Sequence, residues 1–592
     1  MKALKRKKYA AKLDRMTILT MVVFVLALTV VVRLFDLQVL KHGDYQAQAS
    51  GRHDFSEEIE PKRGSIFVQS KDSASDFNLP GGAKSTLPSA NLYPIATNAE
   101  RQMLYANPSL IGGPAEVAKK LFPLLEISEA DLAAKLSREN DSYEILKHYL
   151  TEEQAKAISD LKIEGLGFSP ETVRYYSEGN LFGQISGFLG YKGDKRVGQY
   201  GIEEYFNDIL AGEKGMLQAE KDALGRPIVT SERSVQKEKD GADIVLTIDH
   251  AVQFTACKEL EDGIREYRAE SGTVIIMEPQ TGKLLALCNY PNFDPNNYSK
   301  VDDISLFANP AVSYLYEPGS IFKSITMAAG LDAGKVSPTT TYQNDGFVKI
   351  GGYTISNVDQ TANGIQTMTN VLEKSLNTGV IFVVQELGAE LFKSYVDAFV
   401  FGQPTGIELS GEAAGNVSSL VKKGEIYSAT ASFGNGISVT PLQMAAAYGA
   451  IANQGKLMEP HLVDRIVNSD GSVVRTEPKF IRQVVSPSTA SSLSAMLVSV
   501  IKNGHVKRAG VDGYYVAGKT GTSFIPDREN GGYSDQTIHS FVGFAPADNP
   551  KFVVLVKLDK PQNGIYADQT SAPVFNRIAK FMLNYYEIAP EY

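Results

Sequence analysis

The chain has 592 residues, 43% hydrophobic and 21% charged, which is too long for one ordinary hydrophobic core and too apolar for wholesale disorder. A formal net charge of -9 argues against a nucleic-acid partner, because phosphate binding needs concentrated Lys and Arg. Two cysteines exclude a disulfide framework and a CxxC zinc module, and the seven histidines form no HExxH pair, so neither a metal nor a cofactor is expected.

At the N-terminus Lys2, Lys5, Arg6, Lys7, Lys8, Lys12 and Arg15 precede an uncharged, mostly apolar stretch at 16–32. Leu34, Phe35, Leu37, Val39 and Leu40 extend it past Arg33, which can snorkel. The pattern predicts a cytoplasmic basic tail (1–15), a single-pass transmembrane anchor (16–40) with the N-terminus inside, and everything beyond it outside the cytoplasmic membrane. A cleaved signal peptide is the rival, with Ala47-Gln48-Ala49 as its site. Its apolar region is usually only about 7 to 15 residues, and that site lies beyond Lys41, His42 and Asp44, so the uncleaved anchor is preferred.

Residues 69–93 are rich in Ser, Gly, Asp, Asn and Pro without an apolar period and read as a long exposed loop. Residues 114–162 carry helical spacing at Ala115, Val117, Ala118, Leu121 and Phe122, then at Leu132, Leu136 and Ile145, and predict small helices of a modest domain. The charged run at 231–241 has no apolar face and sets the domain boundary, giving 41–240 as a first extracytoplasmic domain and 241–592 as a second. Ile244-Val245-Leu246-Thr247-Ile248 then predicts a strand, 252–267 an amphipathic helix, and Thr273-Val274-Ile275-Ile276-Met277 a buried strand. Cys288, ending the apolar Leu284-Leu285-Ala286-Leu287, reads as a buried core thiol.

Tyr316-Glu317-Pro318-Gly319-Ser320-Ile321-Phe322-Lys323 places a serine after a Pro-Gly break, at the start of the helical run 321–331. Lys323 lies one turn along the same face as Ser320. Burial and the positive helix terminus both disfavour its ammonium, leaving an amine that can act as base for the hydroxyl. Taken alone, Ser320 reads equally as an N-cap, because SxxK recurs at Ser159, Ser234, Ser419 and Ser499. The pattern gains weight from Ser375-Leu376-Asn377 and Lys519-Thr520-Gly521-Thr522, which follow in the order of the SxxK, SxN and KTG set of penicillin-binding proteins and class A β-lactamases. SxN is weak by itself and recurs at Ser89, whereas KTG occurs once.

Lys519 has a competing reading, since residues 513–520 satisfy GxxxxGK[ST]. The variable positions are Tyr514, Tyr515, Val516 and Ala517, which favour a strand, and Gly521 and Pro526 stand where a phosphate loop needs its helix. The site is also outside the membrane, away from ATP. An edge strand that lets a substrate backbone lie alongside it fits better.

Further stretches extend the likeness: Pro61-Lys62-Arg63-Gly64-Ser65-Ile66, Gly201-Ile202-Glu203, Asp222-Ala223-Leu224-Gly225-Arg226-Pro227, Asn289-Tyr290-Pro291, Gly434-Asn435-Gly436 and Phe541-Val542-Gly543-Phe544. With the three motifs, they make the chain resemble the class B penicillin-binding proteins, and among these the division-type (FtsI-like) peptidoglycan D,D-transpeptidases. The resemblance implies an α+β protein: one transmembrane helix, an elongated mixed α/β pedestal for dimerisation or partner binding, and a transpeptidase domain with an antiparallel sheet flanked by helices, like the serine β-lactamases.

By the same resemblance Ser320 attacks the penultimate D-Ala carbonyl of a stem peptide, Lys323 takes its proton, and Ser375 relays a proton to the departing D-Ala. Asn377 bonds the substrate amide and Lys519 adds positive potential. Thr520 and Thr522 hold the terminal carboxylate beside Gly521, and the N–H groups of Ser320 and Thr522 form the oxyanion hole. β-Lactams acylate the same serine. No glycan-polymerising segment is visible, which implies a membrane polymerase of the FtsW type and other division proteins as partners. An elongation-type transpeptidase, a D,D-carboxypeptidase or β-lactamase-like hydrolase, and an inactive cell-wall scaffold are the alternatives. The chain departs from the family pattern at Phe67-Val68-Gln69, at Ser177 and at Ser523.

Overall fold

The computed structural model describes residues 14–43, 54–71, 91–138, 142–193, 195–220, 234–527 and 530–592. They fall into two compact units, Met1–Pro61 with Glu213–Lys239, and Lys62–Gly212 with Asp240–Tyr592.

In the first unit the helix Arg15–Phe35 continues through a π-helical turn, Asp36–Leu40. The span Arg15–Leu40 covers 26 residues and holds an 18-residue window of mean hydropathy 2.7 that is entirely unburied, so it is long and apolar enough to cross a membrane. Arg33 pairs with Asp36 at 2.9 Å, which offsets the cation near the C-terminal end of the apolar run. The unit also holds a three-stranded antiparallel sheet of Asp54–Ile59, Gly215–Glu220 and Ser234–Gln236.

The second unit begins with β1 (Ile66–Gln69), β2 (Leu92–Ala106), α1 (Pro114–Leu125), α2 (Glu129–Leu136), β3 (Glu144–Leu150), α3 (Glu152–Asp160) and β4 (Leu166–Tyr176). Two expectations change here. Gln69 ends β1 and Leu92 and Tyr93 begin the long strand β2, while residues 72–90 of the expected loop lie outside the described residues. Ile145 sits in a strand, because Leu146 and Leu150 turn one face of β3 to the small core of Leu104, Leu121 and Leu132 while β3 pairs with β2. The stretch 222–227 also lies outside the described residues.

Next come β5 (Asp243–Asp249), α4 (His250–Tyr267), β6 (Ser271–Met277) and β7 (Leu284–Tyr290), matching the expected strand, helix and buried strand. Then follow α5 (Lys323–Asp332), α6 (Met368–Glu373), α7 (Asn377–Leu387), α8 (Pro441–Ala452), β8 (Val463–Val467), β9 (Val473–Arg475) and α9 (Pro487–Lys502). The last elements are β10 (Ala517–Pro526), β11 (Tyr533–Ala545), β12 (Phe552–Asp559) and α10 (Ser571–Tyr585).

Two sheets organise this unit. One runs β9-β8-β5-β1-β2-β3 with β4 also paired to β2, and β5 lies parallel to β1. The other is wholly antiparallel, in the order β7-β6-β12-β11-β10. Helices α4 and α10 pack together beside it, and α8 packs against its central strands β6, β11 and β12. Every residue of α8 is buried, so its composition is apolar all round rather than amphipathic. Buried Arg63 and Arg174 both bind the Glu203 carboxylate, at 2.5 Å and 2.7 Å, which ties two of the family-like stretches to β4.

The expectation of a free thiol at Cys288 is corrected: Cys288 is buried, and it is disulfide-bonded to Cys257. Helix α4 packs against β7 and brings two Cα atoms 31 positions apart in sequence to 5.2 Å.

Candidate active site

Ser320 sits in a 3₁₀ turn, Gly319–Phe322, that runs directly into α5. The turn reverses the chain through Gly319 at φ +57°, a left-handed conformation in which a Cβ would also meet the Ser523 side chain at 3.1 Å. Ile321, Phe322, Ile325 and Met327 are fully buried, so the core holds the turn from below, while Ser320 itself is half-exposed. From above, the Glu317 carboxylate accepts from Asn435 Nδ2 (3.1 Å), Gly436 N (2.9 Å) and the Tyr533 hydroxyl (2.9 Å). Burial raises the Glu317 pKa above the ordinary carboxylate value. Ser523, an addition to the usual motif, donates its hydroxyl to the Glu317 carbonyl at 2.9 Å and so pins the strand to the turn.

Lys323 is completely buried, and its Nζ donates to the Ser375 carbonyl (2.5 Å) and hydroxyl (3.2 Å). Desolvation and then the neighbouring charge of Lys519 hold its pKa well below the usual lysine range. Both effects act against the ammonium form and favour an amine with a free lone pair.

Ser375 itself adopts φ +55°, unusual for a residue with a side chain, and this turns both its carbonyl and its hydroxyl toward Lys323. Two residues later Asn377 opens α7, and its Nδ2 donates to the Ser356 carbonyl (2.9 Å) at the end of a hairpin, Phe347–Ile350 with Tyr353–Ser356. That bond fixes the amide and leaves Oδ1 as an acceptor.

The fourth wall is β10, the edge of the antiparallel sheet, so the KTG lysine stands in a strand and the helix of a phosphate loop is replaced by extended backbone. Alternation puts Lys519 and Gly521 on one face and Thr520 and Thr522 on the other. A Cβ on Gly521 would meet the Pro318 carbonyl oxygen at 2.9 Å, so only glycine lets the strand lie this close to the Ser320 turn. Lys519 is buried, with Nζ 3.4 Å from the Thr520 carbonyl, and desolvation brings its pKa down to about 7. Its charge is therefore partial at neutral pH. Thr522 Oγ1 accepts from Ala567 N at 3.2 Å and keeps its own proton to donate.

Contacts thus join Lys323 to Ser375 and bring the strand of Lys519, Thr520, Gly521 and Thr522 against the turn that carries Ser320, while Asn377 stands two residues beyond Ser375 at the start of α7. Sequence reasoning missed two groups beside them. Glu317 directly precedes the Pro-Gly break and could have been found there. His505, whose Nε2 lies 3.5 Å from Thr520 Oγ1, follows the end of α9 in Asn503-Gly504-His505, where no periodicity marks it. Ser177, a second of the three departures, uses the N–H that a proline would lack, donating it to the Ile95 carbonyl at 3.2 Å.

Two family models match the chain: the penicillin binding protein transpeptidase domain over residues 272–580 and the penicillin-binding protein dimerisation domain over 87–246. Among curated relatives, stage V sporulation protein D of Bacillus subtilis is 32% identical, across 82% of this chain and 76% of its own length. PbpB of Mycolicibacterium smegmatis is 30% identical, across 94% and 88% respectively. The probable peptidoglycan D,D-transpeptidase PenA of Neisseria meningitidis is 31% identical, across 84% and 83%. Among solved structures, penicillin-binding protein 3 of Mycobacterium tuberculosis, complexed with aztreonam, superposes with a TM-score of 0.68 at 26% identity, covering 90% of this chain and 98% of that one. A peptidoglycan synthetase from Bifidobacterium adolescentis gives 0.69 at 26% identity, covering 91% and 98%.

Proposed function

The chain belongs to the class B penicillin-binding proteins, serine-type peptidoglycan D,D-transpeptidases, and from that premise we propose that Ser320 is its nucleophile and Lys323 its base. The carrying observation is Lys323 Nζ: buried, with its pKa held well below the usual lysine range by desolvation, one turn beyond Ser320, and 3.2 Å from the Ser375 hydroxyl. An uncharged amine takes the Ser320 proton as Oγ attacks the D-Ala carbonyl. The Ser375 hydroxyl, bridging from Lys323, carries a proton to the leaving D-Ala nitrogen. The N–H groups of Ser320 and Thr522 receive the oxyanion, Asn377 Oδ1 accepts from the substrate amide, and Thr520 and Thr522 receive the donor carboxylate beside Lys519. The amine of a neighbouring stem peptide then displaces Ser320, forming the new amide and regenerating the hydroxyl.

β-Lactams acylate the same serine under this reading. The apolar span Arg15–Leu40 anchors the protein with its basic N-terminus inside, residues 41–240 serve as pedestal, and 241–592 act outside. A membrane glycan polymerase supplies the strands to be joined. The septum is the proposed place of action, supported by the FtsI-like character of the sequence around Ser320.

Full-length protein in detergent, incubated with a fluorescent penicillin, tests the chemistry. Stable covalent label that vanishes in both Ser320→Ala and Lys323→Ala supports the transpeptidase. Label that decays quickly favours a hydrolase, and an unlabelled, folded wild type removes the acyl-enzyme. A fluorescent fusion that fails to gather at midcell overturns the septal role.

A further inference from the structure

His505 lies where no motif points, at the back of the carboxylate-binding strand. Its Nδ1 is 2.9 Å from the Glu373 carbonyl oxygen at the end of α6. A carbonyl can only accept, so Nδ1 carries a proton and, in the neutral ring, Nε2 carries a lone pair. That lone pair faces Thr520 Oγ1 at 3.5 Å, the same hydroxyl that the preceding reading assigns to the donor carboxylate. The hydroxyl has one proton. While His505 is neutral, the proton is drawn toward the imidazole and the oxygen turns lone pairs toward the cleft, the wrong polarity for a carboxylate. Once His505 is protonated, Nε2–H donates to Thr520 Oγ1 and the hydroxyl proton is free to point at the substrate.

We propose that His505 is a positioning residue that sets the direction of the Thr520 hydroxyl and thereby makes capture of the substrate carboxylate pH-dependent. The inference rests on Thr520 being the carboxylate contact. The charges that reach the ring come from each element around it: Lys519 on β10, Lys323 on α5 and Asp568 in the turn Ala567–Gln569. Desolvation and the two lysines favour the neutral ring, while the Glu373 carbonyl and Asp568 favour the cation, so the switch operates on the acid side of the ordinary imidazole value. The residue keeps solvent access, which allows proton exchange.

The test compares Ser320 acylation by benzylpenicillin, which carries the carboxylate, with acylation by its carboxyl methyl ester, using full-length protein in detergent. Taking the ratio of the two rates cancels the titration of Lys323, which both compounds need. In the wild type that ratio rises by roughly tenfold between about pH 8 and about pH 5.5, the scale of one charge-assisted hydrogen bond. In His505→Gln, whose amide N–H donates at every pH, and in His505→Ala, the ratio keeps only the shallower rise that comes from protonation of Lys519 near pH 7, and it starts higher in the glutamine variant. A flat ratio in the wild type, or a histidine-free variant that follows the wild-type profile, overturns the inference while leaving the acyl-enzyme intact. Loss of acylation by both compounds in every form strikes the acyl-enzyme reading itself, and the inference with it.

Discussion

Lys323 and Ser375, far apart in sequence, meet twice: Nζ lies 2.5 Å from the Ser375 carbonyl oxygen and 3.2 Å from its hydroxyl. Both contacts depend on the left-handed backbone of Ser375 at φ +55°. An amine held by two uncharged acceptors gains no counter-charge from them, so burial lowers its pKa instead of being offset by an ion pair, as the proposed base role requires.

That relationship separates chemistry from folding at Ser375. Glycine favours the left-handed conformation, so Ser375→Gly retains the carbonyl contact, removes the hydroxyl, and holds or slightly raises thermal stability by a few tenths to about 1 kcal/mol. Acylation by a fluorescent penicillin falls by about 10²-fold or more, the scale of a lost proton-transfer group. Unchanged acylation would remove Ser375 from the proton path.

Lys323 has its own signature in stability. A buried amine without a counter-charge is costly, and a hydrophobic residue of like length fills the same space. Lys323→Met is therefore expected to abolish labelling while its melting temperature equals or exceeds that of the wild type, as read by calorimetry. A melting temperature lowered by several degrees would mean that the lysine is structural.

The pH dependence of stability follows from the two depressed lysines. For Lys519 the folded pKa is about 7 against an ordinary 10.5, so between these values the unfolded chain binds more protons and stability rises with pH. The contribution is lost as pH falls toward 7. Lys323 acts in the same direction. Denaturant midpoints measured from about pH 7 to about pH 10 should therefore climb more steeply in the wild type than in Lys519→Met. Parallel profiles would show that Lys519 is solvated and charged.

Gly521 sets the closeness of β10 to the nucleophile turn. In Gly521→Ala the new methyl meets Ser540 Oγ at 2.6 Å and the Pro318 carbonyl at 2.9 Å. One of them must yield, which costs about 1–3 kcal/mol and shifts the Ser320 turn. Slower acylation, by at least tenfold, is expected alongside lower stability. A variant that melts lower yet acylates at the wild-type rate would show that the turn does not depend on this contact.

The Cys257–Cys288 bond closes a loop across 31 positions and staples α4 to β7 away from the cleft. Replacing both cysteines with serine is expected to cost about 2–4 kcal/mol, mostly through a freer unfolded chain, with penicillin labelling at ambient temperature unchanged. Equal melting curves with and without a reductant that demonstrably opens the bond would count against a stabilising role.

The sequence by itself determined the features that depend on neighbours along the chain. The basic tail before the apolar run at 16–40 marked the helical span, period-two and helical spacing marked Asp243–Asp249, His250–Tyr267 and Ser271–Met277, and the three motifs picked out the candidate site residues in order. Tertiary structure decided what depends on distant partners. The helical spacing around Ile145 gave way to a strand because β2 offers a pairing edge and the small core takes Leu146 and Leu150. Cys288 found Cys257 only once α4 packed on β7, and His505 met Thr520 only once α9 and β10 came side by side. Even Lys323, picked out by its spacing, has a depressed pKa only through complete burial beside Lys519, because desolvation is a property of the packed volume and not of the residues that adjoin it in sequence.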